Sequence, residues 1–142
     1  MKSIAHNKRF FQIKGNKAWI LLHNKIIPEN TVEIVNCTNL RIAGPVQFNA
    51  TKVFVQSCDV VLQRWWLDIY QFPYVKHIYI DSEYEPIAYN RFDESVQIYV
   101  TEEMVNFKPF FLANDYIKVG KRFIKVITKE HMNFVLNNLK QE

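Results

Sequence analysis

A short apolar segment returns along this chain at near-constant intervals, and that recurrence limits what the chain can fold into. Val32-Glu33-Ile34-Val35-Asn36-Cys37 aligns with Val53-Phe54-Val55-Gln56-Ser57-Cys58, so that Val32 falls on Val53 and Cys37 on Cys58. Both cysteines thus share one register. His77-Ile78-Tyr79-Ile80-Asp81-Ser82 and Val96-Gln97-Ile98-Tyr99-Val100-Thr101 fit the same slot, and Phe123-Ile124-Lys125-Val126-Ile127-Thr128 fits it less well. Ile34, Val55, Ile80, Val100 and Ile127 are the equivalent positions, and the step between them stays within one narrow range.

Each unit alternates with period two and is rich in β-branched residues, so it reads as a strand. Strands returning at roughly 20 to 27 residues match a solenoid in which each turn adds one strand to a parallel sheet. The expected fold is therefore mostly β with helices: a short solenoid, leucine-rich-repeat-like or β-helix-like, with a C-terminal capping helix. The alternative is an α+β single domain with unrelated strands. In the solenoid reading Ile34, Cys37, Val55, Cys58, Ile80 and Val100 form the repeat core, and a buried cysteine acts there as a small hydrophobe. Asn36, Ser57, Ser82 and Glu102 form no strict polar ladder at the turn.

The chain's 142 residues suit one domain. Residues 1–30 read as an N-terminal cap, a hairpin of Phe10-Phe11-Gln12-Ile13 with Trp19-Ile20-Leu21-Leu22 across Gly15-Asn16. Residues 31–104 are the repeat region. Residues 105–142 hold a further strand and the capping helix, in which Met132, Val135, Leu136 and Leu139 share one face. Thr128 is its expected cap. Thr101-Glu102-Glu103-Met104 reads as another helix start, with Thr101 as cap, and Lys118-Val119-Gly120-Lys121-Arg122 as a turn between strands.

Hydrophobic residues make up 49% of the chain, enough for a packed core. The longest apolar run, Ala18-Trp19-Ile20-Leu21-Leu22, is far shorter than the roughly 20 residues that span a bilayer, so no membrane is expected. Nothing at the start reads as a secretory signal. A reducing compartment follows, with free thiols. Two cysteines and four histidines show no ligand spacing for zinc, so neither a metal nor a cofactor is expected.

Net charge is +4, divided into +5 over residues 1–32, −5 over 33–104 and +4 over 105–142. The acidic centre argues against a continuous phosphate-binding stripe, so nucleic-acid binding is expected to be weak or non-specific at most. Asp81, Glu83 and Glu85 alternate, with Asp93 and Glu94 nearby. They are the candidates for a glycosidase carboxylate pair, but nothing in the sequence supplies the environment that raises one pKa. Cys37 with His77 lacks an orienting third group. No nucleotide or metalloprotease motif is present, and no enzyme is expected.

Nine aromatics fall between residues 65 and 92. Trp65, Trp66, Tyr70 and Tyr74 are the candidates for partner binding, because exposed Trp and Tyr anchor protein interfaces. The alternative is that the tryptophans roof the core. The reading is a non-enzymatic protein–protein interaction or structural module, binding a protein partner or a second copy. The alternatives are a nucleic-acid-associated protein that uses its basic ends and a carbohydrate-active β-helix enzyme.

Phe72-Pro73-Tyr74-Val75-Lys76-His77-Ile78-Tyr79, then Ser82-x-x-Glu85-Pro86 and Asn90-Arg91-Phe92, complete a pattern. With the strand units before them, they resemble the degenerate leucine-rich-repeat-like proteins of nucleocytoplasmic large DNA viruses. The resemblance covers about half the chain. Tyr84 stands where a cysteine is expected, and leucines are few. It implies a viral protein with a binding or structural role, located in the virion or the host cytoplasm. It assigns no catalytic residue.

Overall fold

The computed structural model describes residues 9–14, 19–21, 25–36, 41–43, 46–56, 71–81, 92–101, 111–112, 116–119 and 122–141. The elements are β1 (Phe10–Lys14), β2 (Trp19–Leu21), β3 (Lys25–Ile27), β4 (Thr31–Val35), β5 (Arg41–Ala43), β6 (Val46–Phe48) and β7 (Lys52–Gln56). They continue with β8 (His77–Asp81), β9 (Gln97–Thr101), β10 (Phe111–Leu112), β11 (Tyr116–Val119), β12 (Arg122–Ile127) and α1 (Lys129–Gln141). The protein is mostly β with one C-terminal helix among the described residues.

The main sheet has eight strands in the order β1-β4-β7-β8-β9-β12-β11-β10. From β1 to β12 all pairings are parallel, and β12-β11-β10 are antiparallel. Two smaller parallel pairs, β2-β5 and β3-β6, accompany it. Successive strands β1, β2 and β3 thus each lie beside the equivalent strand of the next unit, β4, β5 and β6. The backbone ladder continues through the turn before each main strand. Thr31 donates to Arg9 (3.0 Å), Thr51 to Asn30 (2.9 Å), Lys76 to Thr51 (2.8 Å) and Gln97 to Lys76 (2.9 Å).

Register assigns the repeat. Ile13, Ile34, Val55, Ile80, Val100 and Val126 are aligned across the sheet, all of them buried. Two expectations are corrected. Phe10–Ile13 form no hairpin with Trp19–Leu21: β1 pairs in parallel with β4 and is the first strand of the repeat. The last equivalent position is Val126, not Ile127. A one-residue shift exchanges the faces of a strand, and Ile127 lies on the opposite face, packed with Met132 and Leu136.

The inner face carries the larger core, in which pairs such as Val32/Ile34, Val53/Val55, Ile78/Ile80 and Ile98/Val100 are almost wholly buried. Parallel strands covered on both faces select such branched residues. Phe48 stacks on Phe72 at 4.5 Å, joining β6 to the segment before β8. After β4 the chain turns through Asn36 at φ 55°, a left-handed conformation that a short polar side chain tolerates. Its N–H donates to the Gln56 carbonyl at 3.0 Å.

The helix starts at Thr128, whose hydroxyl accepts from His131 N–H at 3.1 Å, as an N-cap does. Its position corrects the capping expectation: α1 lies across the outer face of the sheet, with Met132 and Leu136 buried against Phe54, Tyr79 and Ile127. Thr101 is buried at the end of β9, and its hydroxyl donates to Asp81 at 2.8 Å. The helix start expected after it lies outside the described residues.

Candidate functional site

On the outer face, alternate residues of the same strands form rows. One row runs Gln12, Glu33, Phe54, Tyr79, Tyr99, Lys125 and then Tyr116. Strand spacing in a sheet is about 4.8 Å, which suits stacked rings. Phe54 stacks on Tyr79 and Tyr79 on Tyr99, each at 4.5 Å between centroids. Burial and the neighbouring Tyr99 push the Tyr79 phenol up to about 12, so it stays protonated. Burial likewise raises the Tyr99 phenol.

The helix covers part of this ladder and is tethered by charge towards both ends. Lys129 reaches Asp81 at 3.5 Å, and Lys140 reaches Glu33 at 3.1 Å. Both acids are buried and have a second donor: Gln12 to Glu33 at 2.8 Å, Thr101 to Asp81 at 2.8 Å. A buried carboxylate left without such partners is costly, so these acids fix where the helix sits.

Towards β11 the outer face opens into a groove of about 520 Å³, bordered by Glu94, Gln97, Tyr99, Tyr116, Phe123 and Lys125, among others. Its rim is set by Arg122, whose guanidinium donates to the carbonyls of Phe92 (2.9 Å), Asp93 (3.0 Å) and Val96. Asp93 in turn accepts from Ser95 N–H at 2.9 Å. That bond and nearby Arg122 hold its carboxyl below the usual range. Phe123 is 59% exposed and Tyr116 39%. The Lys118 ammonium lies 5.8 Å from the Phe123 ring centroid.

His77 joins this groove to the start of β7 and β8. Its Nδ1 lies 3.4 Å from the Tyr99 hydroxyl, which also donates to Gln97. Burial, then Lys52 and Lys76, lower the imidazole pKa from its ordinary value.

The structure places the sequence-derived residues unevenly. Ile34, Val55, Ile80 and Val100 are buried in one register on the inner face. Cys37, Cys58, Trp65, Trp66 and Tyr70 lie outside the described residues, as do Glu83 and Glu85. Tyr74 is 55% exposed. Asp81 is engaged with Thr101 and Lys129, apart from the exposed turn that carries Asp93 and Glu94. Sequence reasoning does not single out Tyr99, Tyr116 and Phe123 as site residues. Their signal is the alternation Tyr116-x-Lys118 and Phe123-x-Lys125, which puts an aromatic and a lysine on one face of each strand.

A family profile described as a family of unknown function, DUF5845, matches residues 32–124. The chain belongs to that family. No curated protein and no solved structure gives a significant match. No helix among the described residues is long and apolar enough to cross a membrane. No group of three or more His, Cys, Asp or Glu among them is placed to hold a metal ion.

Proposed function

We propose that this chain is a non-enzymatic interaction module built as a short solenoid, with a protein partner or a second copy of itself as its ligand. Support for the solenoid is the parallel pairing of β1, β2 and β3 with β4, β5 and β6, each strand beside its equivalent one coil later. Each such coil adds a strand and exposes a crossover, and crossovers are where solenoids vary to bind. By resemblance, the setting is a virion or assembly component of a large DNA virus, in a reducing compartment.

One observation carries the binding reading. In the crossover before β8, Phe72 is 2% exposed and Tyr74 is 55% exposed. The segment is fastened from below by the Phe48–Phe72 stack and displays an aromatic ring above. A side chain held in place before binding loses little entropy on association, which suits an anchor residue.

Tyr74→Ala, Trp65→Ala and Trp66→Ala test this by thermal unfolding paired with sedimentation and partner cross-linking. Tyr74→Ala is expected to change stability by no more than about 0.5 kcal/mol. It should weaken association by about 2 kcal/mol, the loss typical of an interface anchor. Unchanged association in all three variants overturns the reading.

A further inference from the structure

The helix α1 rests on the outer face around Phe54, Tyr79 and Ile127, and the sheet continues past it. On β9, β12 and β11 the register sets Tyr99 beside Lys125, Lys125 beside Tyr116, and Phe123 beside Lys118. Aromatic and cationic side chains therefore alternate across these strands, and along β12 and β11 as well. Lys118 and Lys125 are exposed. Through His77 the strip reaches Lys52 and Lys76, both close enough to act on the imidazole. Glu94 is the one carboxylate bordering the groove among the described residues, and it faces Arg122.

We infer that this strip binds single-stranded nucleic acid, with Tyr116 and Phe123 stacking on bases and Lys118 and Lys125 meeting backbone phosphates. The inference goes beyond the protein-contact reading and uses other residues. Three considerations select this occupant. Exposed rings beside lysines on a sheet are the arrangement on which unpaired bases stack, about two or three at a time. Lysine is depleted at protein–protein interfaces, whereas here it alternates with each ring. A sheet face takes up a duplex only as a two-stranded ribbon or by prising a groove open at an energetic cost, whereas unpaired bases stack on its exposed rings directly, which favours a single strand.

Among the described residues, the acidic centre is a weaker obstacle than its charge sum suggests. Of its four described acids, Glu33 and Asp81 are buried and paired with lysines of α1. Asp93 and Glu94 sit beside Arg122. The weak binding expected from charge blocks treats these acids as one free repulsive surface, whereas two of the four are buried and paired and only Asp93 and Glu94 are exposed, beside Arg122.

The test is fluorescence anisotropy of labelled 12-nucleotide oligo-dT and oligo-U with the full chain, from about 50 to 200 mM salt. The expected Kd lies between about 1 and 100 µM near physiological salt. Two neutralised phosphates give a slope of log K against log salt of about −1.4. Tyr116→Ala with Phe123→Ala should weaken binding about tenfold or more and leave the slope unchanged. Lys118→Glu with Lys125→Glu should weaken binding and flatten the slope. Lys25→Glu on β3 carries the same kind of charge change outside the strip and should alter Kd less than about twofold, as a charge remote from the contact does. Thermal unfolding checks that each variant is folded. A duplex of equal length and polyglutamate should both bind at least about tenfold more weakly, since neither offers free bases to stack. Polyglutamate binding as tightly as the oligonucleotides would assign the strip to acidic peptides. Insensitivity to loss of the two rings would leave plain polyanion attraction. Either result, or no binding at about 50 mM salt, overturns the inference.

Discussion

On the inner face of the main sheet, every strand from β4 to β9 offers Val or Ile at both inward positions, and all are nearly inaccessible. On the outer face, the alternate residues of the same strands include Glu33, Phe54, Tyr79 and Tyr99, flanked by lysines and His77. Identical backbone pairing thus supports two different chemistries. The inner face repeats one solution because each parallel strand must meet its neighbour with the same shape. The outer face escapes that rule, so its residues change from strand to strand: an acid on β4, rings with Asp81 at the centre, rings with lysines towards β11. Specific features accumulate where packing does not dictate the side chain.

The comparison breaks most visibly at the core. Ile80 is 0% exposed at the centre of the inner face, so Ile80→Ala should cost about 2–5 kcal/mol. Phe123→Ala, on the open part of the outer face, should stay within about 0.5 kcal/mol despite removing a larger side chain. Denaturant unfolding of the two variants measures both. Similar losses would mean that the two faces are equally structural.

The covered part of the outer face should fall between these limits. Lys129→Ala with Lys140→Ala leaves Asp81 and Glu33 buried with only Thr101 and Gln12 as donors. Because both lysines are about half exposed, solvent screening limits each pair to about 1 kcal/mol. The double variant should lose about 1–2 kcal/mol in urea unfolding, and less at high salt. A loss as large as that of Ile80→Ala would put the helix tether on a par with the core.

The inner face was largely legible in the sequence, because its period-two pattern is dictated by the local pleat and its strands pair in parallel in the register of their sequence alignment. Val32, Val53, Ile78 and Ile98 align as the repeat requires. The first strand escapes that reading for a physical reason. Gly15-Asn16 is a local turn signal, whereas the pairing of Ile13 with Ile34 is parallel and set by a strand that follows β2 and β3 in the chain. Ile127 is misplaced by sequence alone because Val126 and Ile127 are equally branched and only register separates their faces. The site is harder still. Tyr99 and Tyr116 sit on different strands with β10 between them in the chain, and an antiparallel return places Tyr116 beside Lys125. Counting aromatics in a window finds the crossover instead. The pairing of buried Glu33 with half-exposed Lys140, 107 residues apart, could not be read from charge blocks.

His77 offers the finest probe of the border between covered and open outer face. Its imidazole is half-buried, touches Tyr99, and stands among Lys52 and Lys76. Burial and the two lysines disfavour the imidazolium, so the folded pKa lies below the ordinary value of 6.5. The unfolded chain therefore binds more protons than the folded one as pH falls through that value. Stability should drop from about pH 7 downwards and level off once the folded pKa is passed. His77→Gln should remove this part of the profile and leave the acid limb below the ordinary carboxylate range, where the lowered Asp93 titrates. Thermal unfolding of both proteins between pH 8 and 3, in about one-unit steps against an imidazole reference near 6.5, separates the two windows. An oligonucleotide phosphate seated on the strip would favour the imidazolium and offset the His77 contribution. The same titration with oligo-dT present should then show the drop near neutral pH shrink in the wild type and remain absent in His77→Gln. A drop that persists unchanged with the oligonucleotide bound would place its backbone away from His77 and confine the contact to β12 and β11.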